Sequence, residues 1–210
     1  YEAIRSLHDS EVDHQFNVIV VSSGERCDYG NAAINIFIEY PFNYNMFLNY
    51  GLQHCKAEWI LITNDDVKYE RKWFTNVLKV HEQRPDIQSF SPKDPMLYMK
   101  YFNSHFAGNQ EDYFESYKVS EAFMGWSFVI KKEALDKLLP LDEQFDMYYQ
   151  DNDYGELLKL NGIKHAVVRN SIAVHRGTMR VRQTPSDEYI KKMQPDVDTT
   201  FYPDGQEQSV

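Results

Sequence analysis

Only two cysteines, Cys27 and Cys55, occur among the 210 residues. No metal-ligand spacing surrounds either of them, which excludes a disulfide framework or a cysteine zinc cluster. A reducing compartment is the simpler reading. Positive charge is also short: 22 Lys and Arg against 32 Asp and Glu leave a formal net charge of −10. That balance argues against a broad nucleic-acid or anionic-lipid surface. A bound phosphate would need local donors or a metal, working against the protein's own field. No apolar run reaches the length of a membrane helix, and no charged-then-apolar leader opens the chain. Glycine is sparse at nine residues, and the nearest approach to a Gly-rich phosphate loop, Ser22-Ser23-Gly24-Glu25-Arg26, is a poor version of one. There is no internal repeat and no low-complexity tract. Aromatic residues are plentiful instead, with 15 Tyr and 13 Phe; such rings line sugar and nucleotide sites as well as ordinary cores.

The length suits one well-buried core. Asn17 to Val21, Ile34 to Ile38, Trp59 to Thr63 and Ser127 to Ile130 read as strands from their β-branched and aromatic content. Ala166 to Val168 and Ser171 to Val174 read as two more, both short. Helical spacing predicts helices over residues 2–10, 43–56, 69–83, 131–139 and 150–161. Gly162 stands where a C′ glycine stops a helix. Strands alternating with helices of these lengths predict an α/β fold with a mostly parallel central sheet flanked by helices. Residues 89–121, rich in Tyr, Phe, Pro and Asn, break the pattern and read as long pocket-shaping loops with a hairpin or short helix. Beyond Thr178 the chain is polar and reads as a lid, a docked helix or a linker. The opening residue, Tyr1, suggests an excised domain. The composition reads as cytoplasmic, although a lumenal domain cut from its anchor carries the same signature.

Three clusters carry chemistry. Asn64-Asp65-Asp66 directly follows the apolar run Trp59 to Thr63. A buried strand that delivers carboxylates to its carboxyl edge puts them where open α/β sheets bind ligands. Mg²⁺ or Mn²⁺ uses one or two carboxylates plus substrate phosphates, which makes Asp66 a metal ligand and Asp65 a contact to ribose hydroxyls or to the metal's water. The plain alternative is an Asn-Asp-Asp turn. Asp151 and Asp153 form the second cluster, opening a helix. A shielded carboxylate can take a proton from a hydroxyl nucleophile; equally, both residues suit a helix cap and its dipole. His175 closes a strand before Arg176-Gly177 and could add an imidazole to the metal, or be a satisfied core residue. Arg176, Arg180 and Arg182 could grip a leaving diphosphate, or be solvated.

In order and spacing these stretches resemble the inverting family-2 glycosyltransferases with the GT-A (nucleotide-diphospho-sugar transferase) fold. The resemblance rests on Asn17 to Gly24, on Asn43 to Gly51, on Ile62 to Val67, and on Gly125 to Ile130 with Leu141 to Phe145 and Tyr148 to Asp153. It covers residues 1–177, with a nucleotide-binding half at about 1–68 and an acceptor half at about 69–177. The resemblance implies Mn²⁺ or Mg²⁺ on Asp66 with His175, and a nucleotide-diphosphate sugar donor near Ser22, Gly24, Asn64, Asp65 and Arg176. It implies Asp151 as general base and an acceptor site floored by Gly125 and Trp126 beside Asp153. The acceptor would be a glycan or glycoprotein. The sequence also resembles the N-terminal glycosyltransferase domain of a multidomain chlorella-virus protein, which implies further domains C-terminal to this one and a host-cytosol location. It departs from the family in four places. The sequence opens where the family's usual first strand has just ended, so that strand either precedes Tyr1 or has its place filled by another segment. Ser22 stands for an Asp at the nucleobase, Asn64 for the first Asp of the metal motif, and Gln150 for the Glu before the base. The Asn64 variant hints at a deoxysugar donor. Two other activities fit parts of the chain: a sugar-nucleotide nucleotidyltransferase and a non-catalytic glycan-binding module.

Overall fold

The computed structural model describes residues 2–24, 26–95, 111–119, 122–145 and 149–176. Its elements run α1 (Glu2–Ser10), β1 (Ile19–Ser22), β2 (Ile34–Phe37), α2 (Tyr44–Leu52), β3 (Trp59–Thr63), β4 (Val67–Tyr69), α3 (Trp73–Gln83), β5 (Ile87–Lys93), β6 (Tyr113–Glu115), β7 (Ser127–Lys131), α4 (Lys132–Leu135), α5 (Gln150–Leu160) and β8 (Lys164–His175). Six strands form one sheet in the order β3-β7-β5-β8-β4, with β6 also on β8; β1 and β2 form a parallel pair apart from it. Among the described residues no helix is long and apolar enough to cross a membrane.

The sheet is mixed, where a mostly parallel one was expected. β5 and β8 pair in parallel, but β7 runs antiparallel to both β3 and β5, and β4 and β6 run antiparallel to β8. A parallel neighbour needs a crossover long enough to bring the chain back. β4 instead follows β3 after only three residues, Asn64 to Asp66, too few for such a crossover. The carboxyl ends of β3, β5 and β8 still share one edge, where the amino ends of β4 and β7 join them.

Strand alternation splits the core between the two faces. Ile60 and Ile62 of β3, with Phe128 and Ile130 of β7, pack against Leu52, Leu135 and Leu158 from α2, α4 and α5. Trp59, Leu61 and Val129 face the other way, onto Trp73, Val77 and Val80 of α3 and Leu7 of α1. The i, i+4, i+7 spacing of those three α3 residues makes the stripe, and each such buried side chain contributes roughly 1.5–3 kcal/mol. A distant carboxylate caps α3. Lys72 precedes it with a positive φ of 64° and no capping side chain, and Glu11 accepts from the Phe74 and Thr75 amides at 2.6 and 2.9 Å. Two orphan donors are thereby satisfied at the positive end of the helix dipole.

Several elements differ from expectation: β4 takes the start of the helix expected over 69–83, and α4 covers only Lys132–Leu135 of the one expected over 131–139. The region expected to be loops begins with β5, whose Ser89 and Ser91 are fully buried. The two short C-terminal strands are one, β8, with a break in register where Pro92 faces Val168 and Lys93 faces Ile172. Residues 169–171 bulge there, so Arg169-Asn170 interrupts the apolar pattern without ending the strand. Residues 178–210 lie outside the described set, as do Arg180 and Arg182.

Candidate active site

β3 ends in Asn64-Asp65-Asp66, and the return into β4 lays Val67 opposite His175 at the end of β8. This ladder brings together groups 109 positions apart (175 − 66). The Nε2 atom of His175 lies 3.0 Å from Asp66 Oδ1, and the Arg176 amide donates to the Asp66 carbonyl at 3.1 Å. Asn64 Nδ2 is 3.4 Å from the same His175 nitrogen. With its proton on Nε2 the ring donates to Asp66; with the proton on Nδ1, the Nε2 lone pair faces the Asn64 amide and is open to a cation. Asp65 is exposed beside the pair.

These two side chains suit a small hard cation. Adjacent ligands of an octahedral ion at about 2.1 Å are separated by about 3 Å, the spacing of the Asp66 and His175 atoms. Among the described residues no group of three or more His, Cys, Asp or Glu converges on one point. Mg²⁺ and Mn²⁺ commonly complete their shells with substrate oxygens and water.

Gly125-Trp126, the turn leading into β7, joins this pair to Asp151. The Trp126 indole stacks on the His175 ring, with centroids 5.0 Å apart and planes 6° from parallel. Its carbonyl accepts from the Asn64 amide at 2.9 Å. At Gly125 a Cβ would stand 2.3 Å from Asp151 Cβ, so only glycine admits the Asp151 side chain. Trp126, expected at the acceptor floor, is thus in direct contact with the metal-binding candidate.

Asp151 lies in the first turn of α5 but is not its cap. Tyr149 holds that position with φ 67° and no capping side chain. The Asp151 carboxylate accepts from the adjacent Asn152 amide at 3.0 Å. Burial pushes its pKa up, partly offset by that amide. Burial and the nearby Asp142 charge raise Asp153 as well, and one of its oxygens is enclosed without a hydrogen-bond partner among the described residues.

The other expected side chains have different partners. The Ser22 hydroxyl donates to Asn35 on β2 at 3.0 Å. Gly24 turns after β1 with φ 83°. The Arg176 guanidinium pairs with Glu2 of α1, both side chains more than half exposed; such a surface pair is weak and readily exchanged.

Three participants were given no role from the sequence. Asp94, fully buried after β5, accepts from the His175 amide at 3.4 Å. Tyr44 donates its hydroxyl to Asn64 Oδ1 at 3.1 Å. Burial and the Asp151 charge push the Tyr44 pKa far up, so the hydroxyl keeps its proton. Tyr154 hydrogen-bonds Asn45 from the core. The helical pattern placed Tyr44 and Tyr154 in their helices, but no local signal announces the partners they meet.

No protein-family model matches the chain, and no curated protein matches it in sequence. Solved structures do. A structure of GalNAc-T7 with UDP, GalNAc and Mn²⁺ superposes with a TM-score of 0.60 over 76% of this chain, at 10% identity. The chain spans 37% of that protein's length. At so low an identity the likeness speaks for architecture alone, and the architecture is the GT-A fold of nucleotide-sugar glycosyltransferases.

Proposed function

We propose that the chain is a metal-dependent, inverting glycosyltransferase of the family-2 type. It would move a sugar from a UDP- or dTDP-sugar, glucose or rhamnose for example, to a hydroxyl of a glycan or glycoprotein. The observation that carries this reading is the Gly125-Trp126 turn. One of its residues seats Asp151 and the next stacks on His175, which meets Asp66. A candidate base and a candidate cation site thus share one rigid support.

Asp66 and His175 would hold Mn²⁺ or Mg²⁺, with Asp65 placed to contact ribose or sugar. When bound, a divalent cation neutralises charge on the departing diphosphate. Asp151 accepts the acceptor's hydroxyl proton on a carboxylate oxygen as the acceptor oxygen bonds the anomeric carbon. The bond from that carbon to the diphosphate oxygen breaks on the opposite face and its electron pair leaves with the diphosphate. One such displacement inverts the configuration. Loss of water around Asp151 raises its basicity toward the working pH, as a general base requires.

The test is a thermal-shift screen of UDP-, GDP- and dTDP-sugars with and without Mn²⁺, followed by calorimetry. Stabilisation that follows mass action and needs the metal is expected. Glycan binding indifferent to chelator, with no nucleotide affinity, would replace this reading with a binding module. Pyrophosphate release from a nucleoside triphosphate would replace it with a nucleotidyltransferase.

A further inference from the structure

Two adjacent residues of α2 reach the two halves of this site separately. Tyr44 donates to Asn64 in the motif after β3. Asn45, completely buried, donates through Nδ2 to the Asp142 carbonyl at 2.5 Å and accepts the Tyr154 hydroxyl on Oδ1 at 2.7 Å. Tyr154 lies three residues beyond Asp151 on α5, so the two side chains share one helix face. The beam between them is itself fixed. Asn43 caps α2 through Met46 and donates to the Glu143 carbonyl at 2.9 Å. Asn49 exchanges bonds with Leu141 at 3.0 and 2.9 Å.

An apolar contact would hold α2 and α5 together without specifying their separation. A buried amide with both polar ends engaged has one low-energy orientation, because turning it leaves enclosed groups unsatisfied. Catalytic groups must be held to about 0.5 Å. We propose that the Tyr44–Asn45 pair is a positioning device, which sets the distance between the Asn64–Asp66 motif and Asp151. This inference rests on Asp151 and Asp66 acting as proposed above.

The test is Tyr154→Phe, which deletes one hydroxyl and keeps the ring in the core. With a donor sugar from the screen, kcat is expected to fall about tenfold, in keeping with sub-ångström misplacement. Donor KM and UDP–Mn²⁺ affinity should stay within about twofold, since the donor side is untouched. Hydrogen exchange in residues 150–155 should quicken. Val80→Ala, in the last turn of α3 and outside the cleft, should lower Tm and leave kcat alone. Wild-type kcat for Tyr154→Phe, whether or not exchange quickens, makes the bond structural only and overturns the proposal. So does an equal loss of kcat in Val80→Ala. A wild-type chain with neither turnover nor UDP–Mn²⁺ affinity overturns the reading of the site itself, and this proposal with it.

Discussion

Gly125→Ala tests the shared support most directly. The added Cβ would stand 2.3 Å from Asp151 Cβ and 3.2 Å from its Cγ and Oδ2. Carbon atoms rest about 3.5–4.0 Å apart, so about 1.2 Å or more must open between the two residues. The turn is pinned on its far side: the Ser127 amide donates to the Met124 carbonyl at 3.0 Å, and the Trp126 carbonyl accepts from Asn64. Most of the displacement therefore falls on Asp151. The backbone of Gly125 does not lie in the left-handed region, so the cost is contact rather than strain. Overpacking of this kind costs about 1–3 kcal/mol, and misplacing a reacting group by about 1 Å costs on the order of 10²-fold in rate. Denaturant midpoints and single-turnover transfer measure the two effects. Asp151→Gly supplies the cross-check, because Gly125→Ala should cost almost nothing in stability when that side chain is gone. Equal destabilisation in both backgrounds would refute the reasoning, as would a wild-type rate for the single variant.

Three further outcomes are expected. Asp151→Asn should keep donor binding while transfer falls on the order of 10²–10⁴-fold; in the unaltered chain the acid limb of the pH–rate profile should lie above the ordinary carboxylate range, because burial raises that group. Asp66→Ala should abolish the Mn²⁺-dependent part of nucleotide binding by calorimetry, and unchanged metal dependence would remove Asp66 from the site. His165 is buried between Ser89 and the Ala122 carbonyl, and burial pushes its pKa down to about 3. The unfolded chain binds that proton from about pH 6.5 downward, so this contribution to stability is complete above that pH. It declines as pH falls toward 3, by at most about 1.4 kcal/mol per pH unit. Urea midpoints of His165→Gln between pH 7 and pH 4.5 should show a shallower slope than the parent, and an identical slope would show the burial argument to be wrong.

Local pattern was enough for the elements that carry their own signal. Helix α1 and strand β3 have the boundaries their spacing predicts, and the carboxylates after β3 stand at the sheet edge as expected. Asp151 was legible as an acidic residue in a first turn, but the sequence does not say whether it caps the helix; the structure gives the cap position to Tyr149 and packs Asp151 against Gly125. Strand β5 was hidden because Ser89, Ser91 and Pro92 do not look like a core strand. The fold buries the two serines by giving them partners, His165 Nδ1 for Ser89 and the Met124 amide for Ser91, and it places Pro92 where the register breaks.

What the chain settles by itself is where apolar periodicity begins and ends, and which residues near those ends can ligate or titrate. What only the folded molecule decides is which of them meet. The pairing of β4 with β8 puts His175 on Asp66, the Gly125-Trp126 turn touches both Asp151 and His175, and α2 bonds to both Asn64 and Tyr154. Each contact joins residues far apart in sequence. Their distances follow from how helices and strands pack, and short-range pattern holds no record of that.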